Sequence, residues 1–199
     1  MGPHPVCLRI DTPPRMDRVQ VLIRILLLAA VGSVGCSSVY WLVYLALPAV
    51  AALVVSQKGA ERYLSEDAPR IARVLRWVAA AYAYLWLLTD DFPMSNPGRR
   101  VILEIDAGGA PTIASALARA MTSLPALVFL AVLSVAAGLL WLIGAVSILA
   151  VQRIPKGVSD FLALTLCYQF RLLAYHSSIV DRYPSVELPL TNLPHSDAV

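Results

Sequence analysis

Ionisable side chains interrupt an otherwise apolar stretch near the carboxyl end of the sequence. Asp160, Arg171 and His176 fall within the segment 158–180, and Tyr175 shares a helical face with Arg171 because the two are four residues apart. Charged groups inside a membrane segment are costly and often functional, which points to a proton or anion path or to a lipid-headgroup pocket. Alternatively, each group reaches polar surroundings separately, and we favour this interpretation. Asp160 then lies at the interface, Arg171 snorkels or pairs with a neighbouring helix, and His176 lies near the far end.

Two further carboxylates, Asp90 and Asp181, each stand shortly before a proline at the end of an aromatic-rich segment. A pair of carboxylates is able to carry out general acid–base catalysis. The simpler interpretation is that Asp, an aromatic residue and Pro end a helix and set a turn. Since no nucleophile, base or metal-ligand spacing accompanies them, we predict a protein that is not an enzyme, with no catalytic residue, cofactor or metal.

The composition indicates a membrane protein. Hydrophobic residues make up 58% of the 199 residues and charged residues 15%, with a net charge of +3, whereas a soluble domain is about 45–50% apolar and about 25% charged. This excludes a disordered chain, and three cysteines are too few for a disulfide scaffold. The net charge is too small to indicate a nucleic-acid partner. The apolar composition makes the lipid bilayer the expected partner.

Four segments are candidates for membrane helices. The runs 25–55 and 124–151 contain no charge, and each exceeds the 18 or so apolar residues that indicate a transmembrane helix. They predict long membrane helices over 20–55 and 121–151. The aromatic segments 71–88 and 158–180 either cross the bilayer or lie in its interface, and we favour crossing. The predicted fold is predominantly α, integral to the membrane, with about four membrane helices.

The sequence contains an internal repeat. Residues 6–11 (VCLRID) and 101–106 (VILEID) are similar strand-like stretches 95 residues apart, and DDFP at 90–93 matches DRYP at 181–184 at an offset of 91. We predict two tandem units, 1–95 and 96–199, each with a strand, a long membrane helix and an aromatic helix, the second ending in a C-terminal tail.

The repeat also predicts where the strands lie. Strands are expected near Val6 and Val101, and Val186 lies in a third strand candidate at 185–190. They must lie outside the bilayer because open sheet edges are not tolerated in hydrocarbon. If both helices of each unit cross, the units are parallel copies about an axis along the membrane normal. The lysines and arginines divide almost evenly between the two faces, so the orientation stays open.

The second unit carries the motif IPKGVSDF at 154–161, then RLLAY at 171–175 and DRYP at 181–184. In these segments, and over most of both units, the chain resembles a bacterial, mainly actinobacterial, multi-pass membrane family that is catalogued only as a domain of unknown function. The first unit departs from the pattern, since Gly59 has no preceding proline and Phe92 replaces the tyrosine. The resemblance implies a multi-pass protein of the bacterial plasma membrane and implies no particular chemistry.

The expected function follows from these features. We predict a non-enzymatic accessory or assembly subunit of a larger membrane complex, with a membrane protein partner or a second copy of the chain and no nucleic acid. Glycine and alanine in the long helices allow the close approach of helices that such association needs. The alternative is a small transporter or lipid-binding membrane protein that uses the interface between the repeats.

Overall fold

The computed structural model describes residues 4–33, 36–92 and 100–186. The strands are β1 (Val6–Ile10) and β2 (Val101–Ile105). The helices are α1 (Arg18–Ser33), α2 (Cys36–Lys58), α3 (Ala60–Arg62), α4 (Ala68–Leu85), α5 (Ile113–Thr122), α6 (Leu124–Val151) and α7 (Lys156–His176), with a π-helical turn at Tyr63–Asp67. The chain is mostly helical with a short two-stranded sheet, as the sequence predicts.

The two strands pair with each other in antiparallel fashion. Leu8 lies opposite Leu103 at the centre of the register, which runs from the pair Val6 and Ile105 to the pair Ile10 and Val101. Alternate residues of β1 are buried, because a strand directs successive side chains to opposite faces. The buried face of the sheet packs on α4 and α7.

Helix α7 is the centre of the core. Every residue from 165 to 180 is buried, because α7 is packed against α2, α4, α5, α6 and β1. The strand β1 lies along this helix in the opposite direction. Ile10 shares a cavity with Ser159 near the start of α7, whereas the carbonyl of Val6 accepts a hydrogen bond from Arg171 near its end.

Helices α6 and α7 form an antiparallel hairpin. Gln152, with a φ of 57°, reverses the chain in the left-handed conformation after α6. A Cβ placed on Gly144 would lie 3.4 Å from Val158, so the backbone of α6 approaches α7 closely at this end. At the other end, the rings of Phe129 and Tyr168 are 5.2 Å apart.

Helices α1, α2 and α5 form a second layer with α6. Helix α1 packs on α6, and α2 packs on α5. Arg18 donates from Nη2 to the carbonyl of Ala150 at 2.9 Å, and the amide of Met16 donates to the carbonyl of Gln152 at 2.9 Å. These bonds bring the start of α1 to the end of α6.

The second layer carries most of the exposed apolar surface. Helix α6 has no charged residue, and one of its faces is exposed along its whole length, for example at Val128, Val135 and Leu142. Among the described residues, only α6 is long and apolar enough to cross a membrane by length and composition. Four membrane crossings therefore stay a prediction.

The element boundaries differ from the predicted segments in several places. The segment 20–55, predicted as one helix, is helical throughout its described residues as α1 and α2, and Val34 and Gly35 between them lie outside the described residues; Pro48 lies inside α2. The segments 71–88 and 158–180 correspond to α4 and α7, which end earlier because the chain turns there. Of the third strand candidate, Ser185 and Val186 are not in a strand, and 187–190 lie outside the described residues.

Candidate functional site

Helices α4 and α7 end in the same type of turn. After α4, the amide of Leu88 donates to the carbonyl of Ala83 at 2.9 Å; after α7, the amide of Ile179 donates to the carbonyl of Ala174 at 3.2 Å. Between these residues stands one residue with a positive φ, Leu87 at 62° in the first turn and Ser178 at 56° in the second. This is the Schellman arrangement, in which a left-handed residue ends a helix.

A buried arginine of α1 holds the turn after α4. The Arg24 side chain is 0% exposed, and its Nη2 donates to the carbonyl of Thr89 at 2.7 Å and to Oδ1 of Asp90 at 2.8 Å. Its guanidinium carbon also lies 4.4 Å from the centre of the Tyr84 ring. The other oxygen of Asp90 accepts the amide of Asp17 at 3.0 Å. We call this set the Arg24 cluster.

A second buried arginine, in α5, holds the turn after α7 in the same way. Arg119 donates from Nη1 to the carbonyls of Val180 at 2.7 Å and Tyr175 at 3.0 Å, and from Nη2 to Oδ1 of Asp181. Its guanidinium carbon lies 4.9 Å from the centre of the Tyr175 ring. The other oxygen of Asp181 accepts the amide of Ala110 at 3.2 Å. We call this set the Arg119 cluster.

The two clusters correspond residue by residue. Arg119 lies 95 residues after Arg24, and Tyr175 and Asp181 lie 91 residues after Tyr84 and Asp90. The aromatic residues that follow the acids also correspond, because Phe92 packs edge-on against Tyr84 and Tyr183 packs edge-on against Tyr175. Within the described residues, Asp90 and Asp181 thus each have an arginine partner of their own. The Asp, aromatic, Pro pattern marks a helix end that a buried arginine holds in place.

A glycine makes room for the second cluster. Gly109 has a φ of 126°, and a Cβ on it would collide with the carboxylate of Asp181. The neighbouring amide of Gly108 donates to the carbonyl of Ile179 at 3.2 Å. The loop before α5 therefore wraps closely around the Arg119 cluster.

Arg171, predicted as a functional candidate, lies inside the protein rather than at the lipid interface. It is 5% exposed, its Nε donates to the carbonyl of Val6 at 3.3 Å, and its Nη1 donates to the carbonyl of Ser185 at 2.7 Å. A buried guanidinium that donates to backbone carbonyls stabilises the segments that carry them. Arg171 thus ties β1 and the segment after α7 to the helix.

Asp160 lies apart from Arg171 and His176. It is half-buried and lines a small polar cavity of about 270 Å³ beside Arg153, Lys156 and Ser159 at the start of α7. Asp160 and Arg171 lie on one helix, as predicted, but in separate surroundings, since Asp160 lines this cavity and Arg171 contacts the backbone of β1.

His176 and Tyr175 end α7 in buried positions. His176 is 1% exposed and packs edge-on against Tyr44, with ring centroids 5.7 Å apart. The ring of Tyr175 packs against the guanidinium of Arg119, and its hydroxyl lies 3.1 Å from that of Thr122. Nearby, the hydroxyl of Tyr63 donates to the carbonyl of Ser177, and burial raises the pKa of Tyr63 to about 12.

An apolar groove lies between α4 and β2, where the two predicted units meet. It has a volume of about 440 Å³ and is lined by Arg73, Arg76, Trp77 and the strand residues 101–104. Arg76 donates from Nε to the carbonyl of Leu103 at 3.1 Å, and Trp77 is 48% exposed. We call this the α4–β2 groove. Among the described residues, no group of three or more His, Cys, Asp or Glu residues is placed to hold a metal ion.

Arg24 and Arg119 are the main residues that sequence reasoning missed. A single arginine at the head of an apolar run looks like a charge that flanks a membrane segment. The available signal was their offset of 95 residues, which equals the offset of the two strands.

The part of the chain that the structure describes is mostly helical with a two-stranded sheet, and one of its helices is long and apolar enough to span a membrane. Within it, residues 114–186 match the model of DUF4389, a domain of unknown function. The match covers most of α5, all of α6 and α7, and the turn that carries Asp181. The expected resemblance to a family of unknown function is therefore confirmed for this part of the chain. No curated protein and no solved structure is similar enough to the chain to count as a match.

Proposed function

We propose that the protein is a membrane-embedded, non-enzymatic accessory or assembly subunit of a larger membrane complex in the bacterial plasma membrane. The observation that carries this proposal is the uncharged, exposed face of α6, which runs the length of a 28-residue helix. Water contact is unfavourable for such a surface by about 25 cal/mol per Å². Exposed apolar side chains of α1, α2 and α5 extend the same surface.

The contacts of the acidic and basic candidates support a structural rather than a catalytic role. Asp90 and Asp181 each bind one buried arginine and one backbone amide. Arg171 binds backbone carbonyls on two segments. Groups engaged in this way hold the ends of α4 and α7 in place.

Small residues on the apolar surface support association with another membrane helix. Ala46 and Ala49 of α2 and Gly138 of α6 are exposed, and a Cβ on Gly138 would meet nothing within 4 Å. In lipid, small residues let a second helix approach closely. The partner is another membrane protein or a second copy of the chain.

Extraction in a mild detergent at native expression, followed by native mass spectrometry, tests the proposal. We expect a complex larger than the single chain, weakened by Gly138→Leu, which fills the approach site. Val132→Leu is the matched control, because Val132 is exposed on the same helix and has no such gap to fill. A lone monomer before any substitution would contradict the proposal.

The corresponding arginine clusters also support a tandem duplication, with 1–95 and 96–199 as its units. The register of the sheet fits this interpretation, because Leu8 and Leu103 are equivalent positions and pair with each other. Two units related by a two-fold axis through this pair would produce such a register.

Lipid binding is the second candidate function, and the α4–β2 groove favours it. The groove combines an apolar lining with two arginines and an exposed tryptophan. Cationic side chains beside an aromatic ring suit an amphiphile with an anionic headgroup. Such a ligand would lie between α4 of the first unit and β2 of the second.

Lipid capture by the purified chain tests this candidate. With phosphatidylglycerol in mixed micelles, Arg73→Ala is expected to weaken retention of the lipid, and Arg62→Ala, an exposed arginine outside the groove, is the matched control. Equal retention by both variants and the unchanged chain would remove the groove as a lipid site.

A further inference from the structure

The sheet lies beside the long helices, and this placement decides how the protein can sit in a membrane. The strand β1 runs along α7 from the level of Arg171 to the level of Ser159. Gly144 faces the start of α7, and Phe129 faces its later part. The sheet therefore runs alongside α6, from about the level of its first turns to about the level of Gly144, and does not lie beyond either end of that helix.

A crossing orientation would place this sheet inside the bilayer. At about 1.5 Å per residue α6 is about 42 Å long, close to the full thickness of a membrane. Its central part would then lie in the hydrocarbon, together with much of the sheet alongside it. Asp11, Glu104 and Asp106 are exposed on or beside the strands, and exposed carboxylates and open strand edges are not stable at that depth.

We propose that the protein inserts into a single leaflet from one side, with α6 and the apolar faces of α1, α2 and α5 lying in the plane of the membrane. The sheet then faces water, and α4 and α7 form the layer between. This inference rests on the proposed membrane location and concerns only the mode of insertion. Apart from the approach site at Gly138, the occupant of the apolar surface is the acyl region of one leaflet.

The distribution of exposed charge fits this orientation. One end of the helical layer carries the cationic residues Arg15, Arg18, Arg153 and Lys156, and the other carries Lys58, Arg62 and Arg70. A crossing protein has an excess of lysine and arginine on its cytoplasmic side. Similar numbers at both ends are expected when both ends meet the headgroups of the same leaflet.

The exposed surface also has two chemically different sides. Of the 27 large apolar residues that are exposed among the described residues, 21 lie on α1, α2, α5 and α6. The sheet and α4 carry three of them, Val74, Trp77 and Ile102, together with exposed charges that include Glu104, Arg70 and Arg73. A membrane-surface protein needs this division, whereas a crossing bundle has an apolar belt around its circumference.

Cysteine labelling of the full chain in sealed membrane vesicles tests the mode of insertion. The native cysteines are replaced by serine, and single cysteines are introduced by Arg153→Cys at one end of the helical layer, Arg62→Cys at the other and Glu104→Cys on the sheet. All three positions are exposed. A membrane-impermeant maleimide is applied to right-side-out and to inverted vesicles.

One-sided insertion predicts that all three cysteines react in the same vesicle orientation and that none reacts in the other. Leu139→Cys, on the exposed face of α6, is expected to react only after detergent is added. Reaction of Arg153→Cys and Arg62→Cys in opposite orientations would overturn the inference and leave the membrane location intact. Release of the unsubstituted chain by alkaline carbonate would instead contradict the membrane location itself.

Discussion

The two arginine clusters differ in how many donors of the guanidinium have partners. This difference predicts that replacing the two arginines lowers stability by unequal amounts. In the Arg119 cluster the guanidinium donates to two carbonyls and a carboxylate. In the Arg24 cluster the described residues supply one carbonyl and one carboxylate, and Nε and Nη1 have no hydrogen-bond partner among them. Arg24 therefore keeps more of the desolvation penalty of a buried charge.

The magnitudes follow from this difference. A hydrogen bond to a charged group contributes about 1.5–3 kcal/mol, and the unsatisfied buried donors of Arg24 offset part of this gain through their desolvation penalty. We expect Arg119→Met to lower the free energy of unfolding by about 3 kcal/mol and Arg24→Met to lower it by about 1 kcal/mol.

Unfolding in mixed dodecylmaltoside and SDS micelles, followed by circular dichroism, measures both variants. Arg62→Met is the control, because Arg62 is exposed, and surface substitutions of this kind change stability by less than about 0.5 kcal/mol. The opposite outcome is that Arg24→Met proves as destabilising as Arg119→Met, or more so. This result would refute the reasoning that the number of satisfied donors sets how much each arginine contributes to stability.

Three further predictions use matched positions. Gly109→Ala should destabilise the protein by about 1–3 kcal/mol, because its φ is positive and its Cβ site is occupied, whereas Gly108→Ala should be close to neutral; thermal unfolding compares the two. Gly138→Ala should stabilise α6 by up to about 1 kcal/mol, because the added Cβ meets nothing within 4 Å. Gly144→Ala should lose this gain, because its Cβ would lie 3.3 Å from Ile154. A higher midpoint of thermal unfolding for Gly144→Ala than for Gly138→Ala would contradict this. Because burial raises the pKa of Tyr63 to about 12, and a tyrosine in the unfolded chain ionises near about 10, stability should fall as pH rises through this range. Unfolding at pH 8 and at pH 11 should show a smaller fall in Tyr63→Phe.

The local patterns of the sequence were sufficient to predict the strands and the long apolar helices. Alternating residues at Val6 and Val101 specify half-buried strands because side chains in a strand alternate between faces. The absence of charge over 124–151 likewise predicted α6 with its carboxyl end at the correct residue. The exact ends of α4 and α7 were not predictable, because Leu87 and Ser178 adopt the left-handed conformation without being glycine.

The candidate site was only partly predictable. Asp90 and Asp181 were singled out, but their arginine partners lie 66 and 62 residues away in sequence, at Arg24 and Arg119. Nothing local to an arginine indicates whether packing will bury it. For Arg171 the sequence left several environments open, and the structure places it against the backbone of β1 and of the segment after α7, because this part of α7 is buried.

The composition of the sequence predicted that this chain carries more apolar residues than its core encloses, because 58% of its residues are hydrophobic. The tertiary structure decided which faces of the helices remain exposed and that the sheet runs alongside α6. That placement depends on pairing between strands 95 residues apart and on the direction of α7, and such long-range contacts leave no trace in any local pattern.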